Sequence, residues 1–391
     1  MLRRRGLLAA LVVSSGAGCL QLTEQDEAES DSGSTSPGID PGEIGESRWS
    51  FTADAPFQSA GIAVDDDRVI AASDDETVYA LDLNTGDVEW QFSDDDWPPH
   101  VPFTIAGSTV FLTTNSGTVA VDAETGEENW RTDEALAVQR SPPLAVDDSV
   151  YVHGGSLTPA DNGIVELDRD SGELNWRFET DGRTPAAPVM AGDTLLIGVN
   201  PHDGSRNGRL FGVDTATGEE RWRIDHENIL GGIELAGGIA YATAENGPLL
   251  AFDPGEGDVL WETDEGNLMN NNLSGGNVVT TQAHVFDDRV LFNGRHILEY
   301  DPDTGELIGE LEAVEQPAPL FDRRGRLYAV SAVPGDGGLY SVDLDDSFAR
   351  LLFSIDTDNG RNQVVTGTFD ANDHTLCIAD VSTLNAVWYA D

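Results

Sequence analysis

The chain has 391 residues, 39% of them hydrophobic, with 42 glycines and 18 prolines, which suits a large, turn-rich β protein better than a helical one. Seventy-one acidic residues face 21 basic ones, all arginine, for a net charge of −50. This surface excludes nucleic acid and anionic membranes as electrostatic partners, because phosphate binding needs Lys and Arg. Molar salt, with a Debye length of about 3 Å, would relieve the self-repulsion, so the acidity reads as adaptation to high salt. The alternative is cation binding, but runs such as Asp65-Asp66-Asp67 and Asp94-Asp95-Asp96 read as solvated loops, and no metal site is expected. The two cysteines, Cys19 and Cys377, form no disulfide or zinc framework.

In chain order, Arg3-Arg4-Arg5 precedes an apolar run from Leu7 to Val13 and the small residues Ser14 to Gly18. Residues 1–18 therefore read as a signal peptide, too short in its apolar part to span a bilayer as a mature helix. Arg4-Arg5-x-Leu7-Leu8 resembles a twin-arginine export signal, and Ala17-Gly18-Cys19 a lipobox with Cys19 as the lipidated residue. Simple cleavage and release is the alternative. Residues 19–47, rich in Glu, Asp, Ser and Gly, read as a flexible acidic tether.

From residue 48 onward the chain repeats. The motif couples an aspartate, a Gly turn and a tryptophan eight residues after the aspartate: Asp82, Gly86, Trp90; Asp122, Gly126, Trp130; Asp168, Gly172, Trp176; Asp214, Gly218, Trp222; and Asp253, Gly257, Trp261. It then decays: Asp301 and Gly305 are followed by Gly309, and Asp343 by Ser347 and Leu351. The aspartates are 40, 46, 46, 39, 48 and 42 residues apart, the length of a four-stranded propeller blade. The third unit shows the strands: Pro142 to Val146, Val150 to Val152, Gly163 to Leu167 and Asn175 to Phe178. Asp and Thr side chains can bond turn backbone, Gly permits positive φ, and Trp suits the seam between blades.

Ala-x-Asp-x-x-Thr-Gly followed by Trp resembles the tryptophan-docking repeat of the pyrroloquinoline-quinone-like (PQQ-like) β-propeller family, over residues 48–391. With the acid excess and the leader, the chain reads as a haloarchaeal-type secreted lipoprotein of that family. The resemblance implies an all-β, eight-bladed propeller of four-stranded antiparallel blades. Arg48-Trp49-Ser50-Phe51 looks like an outer strand without inner partners, and the segments 366–369, 375–379 and 384–389 look like three strands lacking a fourth. The expectation is seven whole blades and one built from both chain ends, with Trp49 as its tryptophan and Cys377 inside a strand.

The family includes quinoprotein alcohol and sugar dehydrogenases, which hold the quinone with calcium, and a propeller lipoprotein of the outer-membrane barrel-assembly machine, which the chain resembles more. No adjacent cysteine pair, HxxxH, Gly-x-Ser-x-Gly or Walker loop occurs, and no calcium ligand or catalytic base can be placed. The reading is a surface-tethered, non-catalytic scaffold for a protein or ligand, with no cofactor; the alternative is a PQQ- and calcium-dependent dehydrogenase. Loops entering each new blade gather at one mouth, where Gln58, His100, Gln139, Arg140, Arg183, Gln282, His284, Gln316 and Gln363 recur. They form a candidate binding funnel or cap strand ends, and Asn267 to Gln282 is a lid or a mobile loop.

Overall fold

A computed structural model describes residues 44–55, 62–64, 67–97, 103–133, 142–154, 162–184, 186–201, 207–227, 230–244, 248–263, 283–286, 289–293, 296–312, 314, 317–323, 326–331, 338–354, 367–369, 375–380 and 383–389. Among them are strands and turns and no helix. Strand β1 (Ile44–Thr52) comes first. Then follow β2 (Ile62–Val64), β3 (Arg68–Ser73), β4 (Thr77–Asp82) and β5 (Val88–Ser93); β6 (Thr104–Ala106), β7 (Thr109–Thr113), β8 (Thr118–Asp122) and β9 (Glu128–Thr132); and β10 (Leu144–Val146), β11 (Ser149–Gly154), β12 (Gly163–Asp168) and β13 (Leu174–Glu179). The fourth unit holds β14 (Gly182–Arg183), β15 (Val189–Ala191), β16 (Thr194–Pro201), β17 (Gly208–Asp214) and β18 (Glu220–His226). The remainder are β19 (Leu230–Ala236), β20 (Ile239–Ala244), β21 (Leu249–Phe252) and β22 (Val259–Glu262); β23 (Ala283–Phe286), β24 (Arg289–Asn293), β25 (Ile297–Tyr300) and β26 (Leu307–Leu311); β27 (Pro317–Arg323), β28 (Arg326–Ser331), β29 (Gly338–Asp343) and β30 (Phe348–Ser354); and β31 (Gly367–Phe369), β32 (Thr375–Asp380) and β33 (Thr383–Tyr389).

The described strands form eight antiparallel sheets, six of them running in chain order from first strand to last. Two features depart from the sequence expectation. The fourth sheet has five strands rather than four, because β14 pairs with the far end of β16, Gly182 opposite Pro201, while β15 pairs with its near end. Strand β1 also begins at Ile44, inside the stretch read as tether, and pairs with β33 to give the order β1-β33-β32-β31. First strands approach one another from sheet to sheet: β6 with β10, β15 with β19, β19 with β23, β23 with β27, and β2 with β31.

The core lies between sheets. The middle strands carry unbroken buried runs such as Val69–Ser73 and Thr194–Asn200, because both faces of each sheet are covered. Alternate residues serve opposite neighbours: Val150 and Val152 pack with Phe111 and Ala120 of the preceding sheet, Tyr151 with Leu195 and Phe211 of the following one. Last strands alternate exposed and half-buried residues, as in Glu220–His226.

Candidate functional site

The repeat residues occupy the turns and the seams. At Asp82, one carboxylate oxygen accepts the N–H groups of Asn84 at 2.9 Å and Thr85 at 2.8 Å, and the Gly86 N–H bonds the Asp82 carbonyl at 2.8 Å. Asp122, Asp168, Asp214, Asp253, Asp301 and Asp343 bind the second and third N–H groups after them in the same way. The Ser171 hydroxyl, then its N–H, holds the Asp168 carboxyl below the usual carboxylate range. The Thr304 hydroxyl and N–H do this for Asp301, and Arg221 does so first for Asp214.

Each of the first six turns then receives the tryptophan of the preceding sheet. Trp49 donates its indole N–H to the Leu83 carbonyl at 2.9 Å, Trp90 to Ala123 at 3.0 Å, Trp130 to Arg169 at 2.8 Å, Trp176 to Thr215 at 2.9 Å, Trp222 to Pro254 at 3.1 Å and Trp261 to Pro302 at 2.7 Å. The ring lies flat on the turn glycine, in order Gly86, Gly126, Gly172, Gly218, Gly257 and Gly305. A Cβ on Gly218, whose φ is +72°, would stand 2.6 Å from the Trp176 ring. Asp, Gly and Trp are thus parts of one clasp joining consecutive sheets.

A detail invisible in sequence spacing accompanies the clasp. A β-bulge precedes the tryptophan: Leu81 pairs with Val88 and Ala80 with Trp90, leaving Glu89 extra. Asn129, Asn175, Arg221, Leu260 and Ile308 are the corresponding extra residues, and β1 carries the same irregularity between Ser47 and Trp49. The seventh sheet lacks it there. Arg350, opposite Ser341, therefore takes the tryptophan's place in register, and Leu351, expected there from spacing, falls opposite Tyr340. Between the sixth and seventh sheets both halves of the clasp are changed. Gly309 replaces the tryptophan, and Ser347 stands at φ 50°. An ion-pair relay crosses that seam instead, Glu299 to Arg289 at 3.3 Å and Arg289 to Asp345 at 2.5 Å.

Of the funnel candidates, Arg183 and His284 fall among the described residues. Arg183 is exposed on β14 of the fourth sheet and His284 half-buried on β23 of the sixth. Gln58, His100, Gln139, Arg140, Gln282, Gln316, Gln363 and the stretch from Asn267 to Gln282 lie outside the described residues, as do Cys19 and residues 1–43. Cys377 lies in β32, opposite Thr368 and Ala386.

Three polar features escaped the sequence reading. Glu234 holds on β19 the place that His284 holds on β23, two residues before the pair that closes the hairpin, and burial pushes its carboxyl up to about 7. His153 is fully buried, neither ring nitrogen meets a hydrogen-bond partner among the described residues, and burial holds it neutral by lowering its pKa to about 4. His296, Glu310 and Glu312 bring a ring nitrogen and two carboxylates within 4.8 Å of one another, with His296 Nδ1 2.8 Å from Glu310. This last set has divalent-cation ligand chemistry. It has no sequence signature because the register of β25 and β26, with Ile297 opposite Leu311, assembles it.

The family described as outer membrane protein assembly factor BamB matches residues 42–103, 96–224 and 202–389. The chain belongs to that family. Among solved structures, BamB from Moraxella catarrhalis is 21% identical with a TM-score of 0.63, covering 89% of this chain and 100% of that one. A computationally designed protein, Ika8, is 16% identical at TM-score 0.65, covering 87% and 98%. A europium-containing methanol dehydrogenase is 14% identical at 0.62, covering 88% and 93%. No curated protein matches the sequence. These likenesses show the fold that the BamB family shares: an all-β propeller of PQQ-like repeats. They do not separate an assembly factor from a dehydrogenase, since both share it.

Proposed function

We propose that the eight sheets are eight blades of one ring, closed by β1 as the outer strand of the last blade, and that the ring is a non-catalytic scaffold for protein partners. The observation that carries this reading is the clasp: each tryptophan and glycine of the BamB-type repeat is used to lock one sheet to the next, beginning with Trp49 of β1 on Gly86. The residues that define the family therefore hold the ring and are not free for chemistry.

A quinone and calcium centre would need several oxygen ligands converging on one mouth. Among the described residues, the one group of three His, Cys or acidic side chains is His296, Glu310 and Glu312, set between the last two strands of its sheet, away from the first strands that face one another. That set does not fit such a centre. Purified protein in molar salt, given pyrroloquinoline quinone and calcium, should reduce no dye with alcohols or aldoses. Tight quinone binding with turnover would overturn the scaffold reading.

The same proposal places the ring outside the cell. Residues 1–18 act as the export signal, Cys19 carries the lipid, residues 19–43 form the tether up to β1, and the acidic surface suits high salt. Cys19→Ser should move the protein from the membrane fraction to the medium; retention of the variant at the membrane would refute the anchor.

A further inference from the structure

We propose that the outer rim of the sixth sheet, with its neighbours on either side, docks an extended segment of a partner protein that alternates apolar and basic side chains. This rests on the scaffold reading and names the site and chemistry of the partner.

The extra residue of the bulge is exposed in the first six sheets, and it is Glu89, Asn129, Asn175 and Arg221 in the first four. In the fifth and sixth sheets it is Leu260 and Ile308, 51% and 54% exposed. The residue before each is also apolar and exposed, Val259 at 48% and Leu307 at 56%. Phe348, at 56%, opens the last strand of the seventh sheet. The three sheets that carry them are joined in sequence, Trp261 sitting on Gly305 and Arg289 reaching Asp345. Exposed apolar side chains on consecutive outer strands of a surface of net charge −50 oppose solubility, and such surfaces mark contact sites.

Two further observations select the occupant. First, β26 is the last strand in its sheet order, so one side of its backbone is unpaired within the sheet. Exposed sheet edges are normally protected by charge, and here the bulge is aliphatic while Gly309 has no side chain where other outer strands carry tryptophan. A strand can therefore add to this edge through its main chain. Second, each apolar pair is bracketed by exposed acids: Asp258 and Glu262 around Val259-Leu260, Glu306 and Glu310 around Leu307-Ile308. Basic side chains of the incoming strand meet these carboxylates. A second copy of this chain would bring carboxylates against carboxylates.

The test uses the full-length protein in about 1 M NaCl, where screening suppresses non-specific attraction. The probe is a fluorescein-labelled peptide of about ten residues alternating leucine and lysine, compared with a glycine–lysine peptide of equal charge. Anisotropy should rise with the first peptide only. The affinity should fall at least tenfold in Leu307→Glu/Ile308→Glu and be unchanged in Val88→Glu, the same position on the first sheet. Amide exchange of the unaltered protein should slow across residues 307–311 on adding the peptide, a readout independent of how the variants fold. Equal binding of the glycine–lysine peptide, unaltered binding by the double variant, or absence of protection at 307–311 would overturn the proposal. So would self-association or flotation with lipid vesicles that the double variant abolishes. Failure here without quinone turnover removes the rim site alone and leaves the scaffold reading in place; quinone turnover removes the scaffold reading whatever the peptide does.

Discussion

Trp49→Ala is expected to destabilise the protein by about 3–5 kcal/mol, the usual cost of emptying a large aromatic site in a core. Trp49 is buried against Val64, Val69, Ala71 and Leu81, its ring covers Gly86, and its indole N–H satisfies the Leu83 carbonyl. The strand that carries it is bonded on its other side to β33, so one side chain ties both ends of the chain to the first repeat. Trp49→Phe keeps most of the packing and loses the N–H bond, and should cost about 1–2 kcal/mol. Equilibrium denaturation in molar salt measures both. A loss under 1 kcal/mol in Trp49→Ala would mean that the seam between β1 and the first repeat contributes little to the folded state.

The second large effect is steric. Gly218→Ala should cost about 3 kcal/mol, since the new methyl group meets the Trp176 ring at 2.6 Å in a left-handed backbone conformation. Gly192 supplies the control. Its φ is +64° and nothing lies within 4 Å of an added Cβ, so Gly192→Ala should show the backbone cost alone, about 1 kcal/mol. The difference between the two isolates the ring contact. Equal losses would show that the indole slides aside and that the clasp tolerates a side chain.

The clasp was readable because each repeat carries half of two clasps within nine residues: a carboxylate that bonds two N–H groups and a glycine at positive φ, which receive the preceding sheet's tryptophan, and an indole eight residues after the aspartate, which docks on the next turn. What spacing did not carry was register. The bulge at Glu89 and its counterparts shifts pairing by one residue without altering the motif, and its loss in the seventh sheet exchanges Leu351 for Arg350. Strand β14 escaped notice because two residues hold no period. The His296, Glu310 and Glu312 set and the pairing of Glu234 with Tyr241 arise across strands, where a linear pattern has no signal. The funnel was inferred from chain position; of its residues, Arg183 on β14 and His284 on β23 fall among the described ones.

The pairing of β1 with β33 also sets a schedule. Phe51 must find Leu384, and Trp49 must find Ala386, across nearly the whole described chain. Closing so long a loop is slow, whereas each clasp between consecutive sheets is local. During synthesis the sheets can assemble one after another behind the ribosome, while the earliest strand waits with its backbone unsatisfied. A chain stopped before residue 383 leaves that strand without its mate, an open edge of the kind that aggregates or is degraded. Completion of that sheet is thus a built-in check that translation has passed β33.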